Sequence, residues 1–360
     1  MKIDKIRLHH FRNYKDLSLD FHPNLNIFLG QNAQGKTNLL ESIYFLALTR
    51  SHRTSHDKEL ISWEEKELSV SGLVSKQNTT VPLEVRLNRK GREAYVNRLK
   101  EARLADYIGQ LNLIMFAPED LELIKGSPAV RRRFLDMEIG QIRPVYLYDS
   151  LRYNRALKER NAYLKFDEDK IDLNFLSVLD NQLIAHGEKI MAERENFIKN
   201  LEYYAQSIHQ KLTHGKENLT ISYQRKVQED FLKEVEGRHR LDIMRHQTSI
   251  GPHRDDLLFF VNGINVADFG SQGQQRTVAL SIKLAEIDLI HAETGDYPIL
   301  LLDDVMSELD NSRQLDLLET SLDKTQTFIT TTTLEHLQHL PEQLSVFHVD
   351  DGNVEVENQV

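Results

Sequence analysis

The chain of 360 residues contains no cysteine, which excludes a disulfide framework and any zinc site built on thiolates. No apolar run approaches the ~20 residues that a membrane-spanning helix needs. The opening residues Met1-Lys2-Ile3-Asp4-Lys5 lack both the apolar core of a secretory signal and the arginine-rich character of a transit peptide. A cytoplasmic protein with no membrane partner is therefore expected. Positive charge is in deficit too: 45 Lys+Arg against 55 Asp+Glu give a formal net charge of −10. That argues against a protein coated with cations for nucleic acid. Any DNA contact must come from local basic patches, with affinity that falls steeply as salt rises. Repeats, low-complexity tracts and a long sustained heptad are also absent. What remains, 40% hydrophobic and 28% charged, is the composition of a soluble globular chain, long enough for two domains or for one large domain with an insertion.

Against this plain background stands Gly30-Gln31-Asn32-Ala33-Gln34-Gly35-Lys36-Thr37, a complete GxxxxGK[ST] phosphate loop. It follows the apolar run Leu25-Asn26-Ile27-Phe28-Leu29, which reads as a buried strand, and Asn38-Leu39-Leu40-Glu41-Ser42-Ile43 continues as a helix. The glycines let the loop curl so that backbone N–H groups face phosphates, and the helix adds the positive end of its dipole. Lys36 is placed to neutralise the β and γ phosphates of a nucleoside triphosphate, and the Thr37 hydroxyl to ligate Mg²⁺.

Ile6, Leu8, Leu17, Leu19 and Phe21 alternate in the strand manner. Leu68–Val74 and Leu83–Leu87, the turn Asn88-Arg89-Lys90-Gly91 and the return Glu93–Asn97 read as an antiparallel hairpin sheet. Between about Pro118 and Gly237 the pattern becomes helical, most clearly over Phe175–Leu212. The last third returns to short strands and helices and includes the continuous apolar run Ile299–Leu302, suited to a central parallel strand. The reading is an α/β protein: a discontinuous head over residues 1–118 and 238–360, with an antiparallel β subdomain, and an inserted mainly helical domain over 119–237.

The run Leu300-Leu301-Leu302-Asp303-Asp304 ends in two acids. Alone it reads as a strand meeting solvent; beside a phosphate loop, Asp303 is the candidate Mg²⁺ holder and Asp304 the candidate general base for the attacking water. Ser271-Gln272-Gly273-Gln274-Gln275-Arg276 precedes a helical run. Alone it is an ordinary N-cap, but its hydroxyl and N–H groups also make an anion site. Ser307-Glu308-Leu309-Asp310 follows the acid pair.

Phosphate loop, serine–glycine–glutamine turn, acid pair and Ser-x-Leu-Asp turn, in this order, resemble the ATP-binding-cassette ATPases. In that class two heads sandwich two nucleotides, each signature serine touching the γ-phosphate held by the other subunit. Phosphate loop and acid pair lie at opposite ends of the chain, as in SMC and Rad50 heads, yet long coiled-coil arms and a cysteine-based zinc hook are missing. At closer range Pro118–Asp136, Gly251-Pro252-His253-Arg254-Asp255-Asp256, Asp303–Asp310 and the early Phe11-Arg12-Asn13-Tyr14 resemble the RecF family of bacterial recombination and repair ATPases, over essentially the full chain.

The resemblance implies an ABC-type phosphate-loop ATPase with weak, DNA-stimulated hydrolysis of ATP in the presence of Mg²⁺. It also implies an ATP-dependent homodimer that binds double-stranded and gapped DNA near single-strand/double-strand junctions and helps RecO and RecR to load RecA. Carried onto this chain, the nucleotide contacts are Gly30, Gln31, Asn32, Ala33, Gln34, Gly35, Lys36, Thr37, Asn38 and Arg12, with Ser271, Gly273 and Gln274 acting in trans. Lys36 and Asp304 are catalytic, and Thr37 and Asp303 hold the metal. Two departures from the transporter branch stand out: Asp304 replaces a longer glutamate, and no glutamine lies around Phe116–Asp120. Thr330-Thr331-Thr332 stands where transporters place a switch histidine. A transport-type ATPase and a nucleotide-gated DNA-binding module with negligible turnover are the alternative readings.

For DNA, Tyr146, Tyr153, Leu157 and Leu164 form one helical stripe, with Arg152, Arg155 and Lys158 toward the other side. That basic face fits either phosphate tracking or plain solvation. Arg131-Arg132-Arg133 fits DNA or pairing with acids inside its own domain, and Arg86, Arg89, Lys90 and Arg92 fit DNA or a solubilised hairpin. His253 and Arg254 fit a phosphate contact or a structural turn. His52 and His56 have helical metal spacing but no evident third ligand.

Overall fold

The computed structural model describes residues 1–77, 79–306, 309–334 and 343–359. Along the first strand, Lys2–Phe11, the apolar residues Ile3, Ile6, Leu8 and Phe11 turn inward while polar neighbours face out. A bulge between Ile3 and Lys5 brings the two halves of this pattern into phase. The strand sits second in a six-stranded antiparallel sheet, in the order Tyr14–Asp20, Lys2–Phe11, Leu68–Lys76, Thr79–Asn88, Gly91–Val96, Leu99–Lys100.

A second six-stranded sheet has the order Asn353–Gln359, Leu344–Asp350, Leu25–Leu29, Thr327–Thr331, Ile299–Asp303, Leu113–Phe116. All its pairs are parallel except the outer C-terminal hairpin. Every residue of Ile299–Asp303 and Thr327–Thr331 is buried, as strands covered on both faces require. The helix Lys36–Leu48 packs against strands of both sheets and is buried nearly all round. Tyr107 ties its end, donating to the Leu46 carbonyl at 2.5 Å.

These elements form one compact unit, residues 1–120 with 280–360; residues 121–279 form another. The second unit is built on the helices Pro128–Ile142, Pro144–Tyr163 and the 40-residue Leu173–Leu212, the last about 60 Å long at 1.5 Å per residue. Leu176, Leu179, Leu183, Gly187, Ile190, Arg194, Phe197, Leu201, Ala205 and Ile208 run down its buried stripe at spacings of three and four.

The expected return to the head at residue 238 is corrected here, because the second unit extends to Ala279. The cause is pairing that local sequence cannot reveal: Asp256–Val261 forms a three-stranded sheet with Leu219–Gln224 and Ile264–Asn265. The Gly251–Asp256 motif is a hub of this unit. Arg194 donates to the Pro252 carbonyl at 2.7 Å, and Arg131 donates to both oxygens of Asp256 at 2.7 and 3.0 Å. Arg132 donates to the Asp255 carbonyl at 2.8 Å, and Tyr223 to the Asp255 carboxylate at 2.5 Å. His253 is bonded to Tyr153 at 2.6 Å and to the Thr248 carbonyl at 3.1 Å, and burial pushes its ring down to about 4, so the neutral imidazole is a structural group. Arg131, Arg132 and His253 are thus spent inside the unit.

Its keystone is Arg160, fully buried together with Asp180 and Asp242. The guanidinium donates to Asp180 at 2.6 Å, to Asp242 at 2.8 Å and to Thr248 at 2.9 Å, and His239 approaches Asp180 at 2.7 Å. One planar fork therefore joins the helices Pro144–Tyr163, Leu173–Leu212 and His239–Arg245. Removing it leaves two carboxylates buried without their cation. Arg160→Ala is expected to destabilise the protein by about 3–5 kcal/mol, read as a lowered denaturation midpoint, and Arg160→Lys should recover little because a point charge cannot serve both acids.

Candidate functional site

Three segments from distant parts of the chain meet at the phosphate loop. Leaving the strand Leu25–Leu29, the loop exposes Gln31, Asn32 and Ala33 and turns into the helix through Gly35 at φ 114°. No side chain caps this helix, in contrast to the helices that begin after Asp172, Asp230 and Asp310. Its first N–H groups and the dipole end are left to the loop, which is what an anion site requires.

Lys36, 8% exposed, folds back along the loop, its ammonium donating to the carbonyls of Gly30 and Gln31 at 2.7 Å each. Burial pushes its pKa down, while Asp304 and Asp303 pull it up. Thr37 donates to Asp303 Oδ1 at 3.0 Å, and Thr330 donates to the same oxygen at 2.7 Å. Burial raises the Asp303 carboxyl above its ordinary range, against the lowering effect of these two hydroxyls. Asp304 follows with φ 53° and an exposed side chain. The set Thr37 hydroxyl plus Asp303 carboxylate offers hard oxygen donors, and Asp303 Oδ2 accepts no hydrogen bond among the described residues, so the chemistry fits Mg²⁺.

The early Arg12-Asn13-Tyr14 run proves to be the loop's cradle. Arg12, at φ 54°, forms with Asn13 the two-residue turn between the first two strands. Its guanidinium forks onto the buried Glu41 carboxylate at 2.9 Å twice and onto the Glu59 carbonyl at 2.7 Å. Burial alone would raise the Glu41 carboxyl, but bonds from Arg12 and Ser51 hold it below its ordinary value. Asn13 accepts from Asn38 at 2.9 Å, and the Tyr14 hydroxyl donates to the Gly35 carbonyl at 3.0 Å. Arg12 and Asn38 thereby link the first helix to the turn beneath the loop.

The C-terminal hairpin closes the other edge. Its Asp351-Gly352 turn sends backbone N–H groups to Gln34, at 2.7 Å to the side-chain oxygen and 3.3 Å to the carbonyl. A Cβ on Gly352, at φ 79°, would lie 2.8 Å from the Asn13 carbonyl, and one on Gly30 would lie 2.3 Å from that of Val349. A cavity of about 680 Å³ opens here, lined by Gly30, Gln31, Gln34, Thr332, His348 and Asp350 among others.

In the second unit, Ser271 accepts from the Gln274 N–H at 3.2 Å, while Gln274 Oε1 accepts from the Ser271 N–H at 3.0 Å. This reciprocal capping box opens the helix Gln272–Thr294. Gln274 also donates to Glu217 at 2.9 Å. Gly273 is half-buried within the first turn. Of the Ser-x-Leu-Asp turn, Ser307 and Glu308 lie outside the described residues, and Asp310 caps the helix Asn311–Ser321.

The basic candidates differ in availability. Arg152 lies over the Tyr148 ring at 5.2 Å, Arg155 pairs with Glu159 at 2.8 Å, and Lys158 is exposed. Arg86 pairs with Glu84 at 2.7 Å and Arg92 with Asp57, leaving Arg89 and Lys90 at the hairpin end. His52 is half-buried, edge-on to Tyr44, and desolvation pushes it down to about 4. Among the described residues no group of three or more His, Asp or Glu is arranged to hold a metal, so the His52/His56 spacing does not build a centre. Nor is any helix of the described residues long and apolar enough to cross a membrane. The sequence reading noted Asn13 within Phe11–Tyr14 and Thr330 within its threonine run without assigning either a contact, and it missed the C-terminal turn, whose local signal is an Asp-Gly pair between two strands.

A parallel sheet with a phosphate loop and an acid pair contributed by opposite ends of the chain is the arrangement of SMC-type ATPase heads, and residues 2–355 match the family model described as the RecF/RecN/SMC N terminal domain. The fold alone is similar to an Smc head bound to the C-winged helix domain of ScpA, at 16% identity and a TM-score of 0.57 over 99% of this chain and 97% of that one. Within this class the chain belongs to the RecF family: it is 74% identical, over 99% of its length and 100% of the relative's, to the DNA replication and repair protein RecF of Lactococcus lactis subsp. lactis strain IL1403. A solved structure described as the recombination mediator protein RecF-ATP in the RecFOR pathway superposes with a TM-score of 0.90 at 34% identity, covering 99% of this chain and 97% of that one.

The tight approach of loop and hairpin makes Gly30 sensitive. Gly30→Ala is expected to push the loop off Val349 and weaken ATP binding by about tenfold, or about 1.4 kcal/mol, in a calorimetric titration.

Proposed function

We propose that the chain is an ATP-dependent DNA-binding protein of recombinational repair and replication restart, in which bound ATP joins two copies of the chain around DNA. The observation that carries this reading is the uncapped helix N-terminus at Gly35, with Lys36 inside the loop and Thr37 bonded to Asp303. Family membership and the RecF-ATP likeness support it. The backbone N–H groups and Lys36 receive the phosphates; Thr37 and Asp303 would hold Mg²⁺, which would supply charge neutralisation to the triphosphate. Asp304 orients the attacking water and takes its proton as the bond from γ-phosphorus to the bridging oxygen breaks, yielding ADP and phosphate. Its short side chain accounts for slow turnover.

Ser271, Gly273 and Gln274 of a second copy complete the γ-phosphate site, so dimer stability is linked to bound ATP. Arg152 and Lys158 are the DNA contacts this reading favours, with Arg155 joining them once it leaves Glu159. RecO and RecR are the partners with which RecA is loaded at gaps in cytoplasmic DNA.

In sedimentation velocity at micromolar protein with Mg²⁺, ATP is expected to convert monomer to dimer, and Lys36→Arg to lose that shift; unchanged sedimentation of the parent chain would refute the clamp. In steady-state phosphate release with gapped DNA, Asp304→Asn is expected to fall by about 100-fold or more. No DNA stimulation and no mutant defect would favour a nucleotide-gated module without turnover.

A further inference from the structure

Thr330 is 1% exposed and lies on the strand Thr327–Thr331, paired directly with Asp303 in the parallel sheet. Its hydroxyl does two things at once: it donates to Asp303 Oδ1 at 2.7 Å and accepts from the Asp304 backbone N–H at 2.9 Å. A hydroxyl has one proton. Of its two partners the Asp304 N–H can only donate and the Asp303 carboxylate accepts, so that proton goes to Asp303.

Asp304 sits at φ 53°, a left-handed conformation that is uncommon for a residue with a Cβ, though aspartate tolerates it better than most. The bond from its N–H to Thr330 is one restraint on it. The adjacent carboxylate is held from two sides, by Thr330 and by Thr37 at 3.0 Å. Asp303 therefore faces Thr37 while the chain turns so that the Asp304 side chain emerges into solvent.

We propose that Thr330 is a positioning residue for ATP cleavage, a single hydroxyl that sets the orientation of Asp303 and the backbone turn that presents Asp304. The proposal rests on the phosphate-loop reading given above. A methyl in place of the hydroxyl keeps the strand and the side-chain shape but removes one of the two hydroxyl bonds to Asp303 and the acceptor for the Asp304 backbone N–H. Misplacing a reacting group by about 1 Å costs on the order of 100-fold in rate, whereas phosphate affinity, carried by loop N–H groups and Lys36, has no direct part in this contact.

The test compares wild type, Thr330→Val, Thr330→Ala and Thr330→Ser for kcat of DNA-stimulated ATP hydrolysis and for ATP affinity by calorimetry, with Lys36→Ala as the binding control. The expected result is a drop in kcat of about 10-fold to 100-fold for Val and Ala, ATP affinity within about 2-fold of wild type, and recovery in Ser. Should Val prove unstable in thermal melts, Ala carries the same comparison without a β-branched methyl. Full kcat in Val or Ala overturns the proposal, as does a loss of affinity that parallels the loss of rate. Wild type that neither binds nor cleaves ATP, or Lys36→Ala that binds as well as wild type, overturns the phosphate-loop reading itself and the proposal with it.

Discussion

One carboxylate oxygen, Asp303 Oδ1, gathers the first unit. It receives hydroxyl protons from Thr37, at the start of the helix behind the phosphate loop, and from Thr330, on the neighbouring strand. The two bonds tie together three parts of the chain that are far apart in sequence, so the loop, the acid pair and the central sheet share one geometry. Burial raises the cost of ionising Asp303, and the hydroxyls offset part of that cost by hydrogen-bonding to the charged form. A cation with hard oxygen preferences would complete what the two threonines begin.

Around this centre the loop is braced from outside. Arg12, Asn13 and Tyr14 form a tight turn beneath it, and the Asp351-Gly352 turn closes over Gln34. Both braces are hairpin ends, where backbone N–H groups and left-handed residues are available for contacts that regular strands have already used. The phosphate loop itself therefore needs few side chains of its own, and its helix keeps an uncapped N-terminus. Rigid support with unused donors is the combination that lets backbone dipoles act on phosphate without reorganisation.

The second unit is organised by a different constraint, a set of buried cations. Arg160 and Arg194 each have their donors on several partners, and Arg131 closes onto Asp256. The signature segments that mark the family in sequence, Arg131–Arg133 and Gly251–Asp256, are for the most part these internal contacts. Buried charges of this kind are costly to break and specify one pairing of elements over others. They hold Arg131, Arg132, Asp255 and Asp256 on partners inside the unit.

The phosphate loop, the buried Asp303 strand, the hairpin sheet and the long helix were legible in the sequence because each has a local signature: fixed glycine spacing, a continuous apolar run, alternation with period two, and a stripe with period near 3.6. The stripe through Tyr146 and Tyr153 was legible for the same reason, both residues being buried. The extent of the second unit was not, since Asp256–Val261 looks like any strand until it pairs with Leu219–Gln224. Nor was the pairing of Arg12 with Glu41, which the fold chooses, or the contact of Thr330, one of four consecutive threonines until strand register sets it opposite Asp303. Sequence by itself determined the elements and the chemistry of the loop, because these depend on neighbours along the chain. Tertiary structure decided which groups are spent on one another and which remain free to act, because hydrogen bonds and burial depend on neighbours in space.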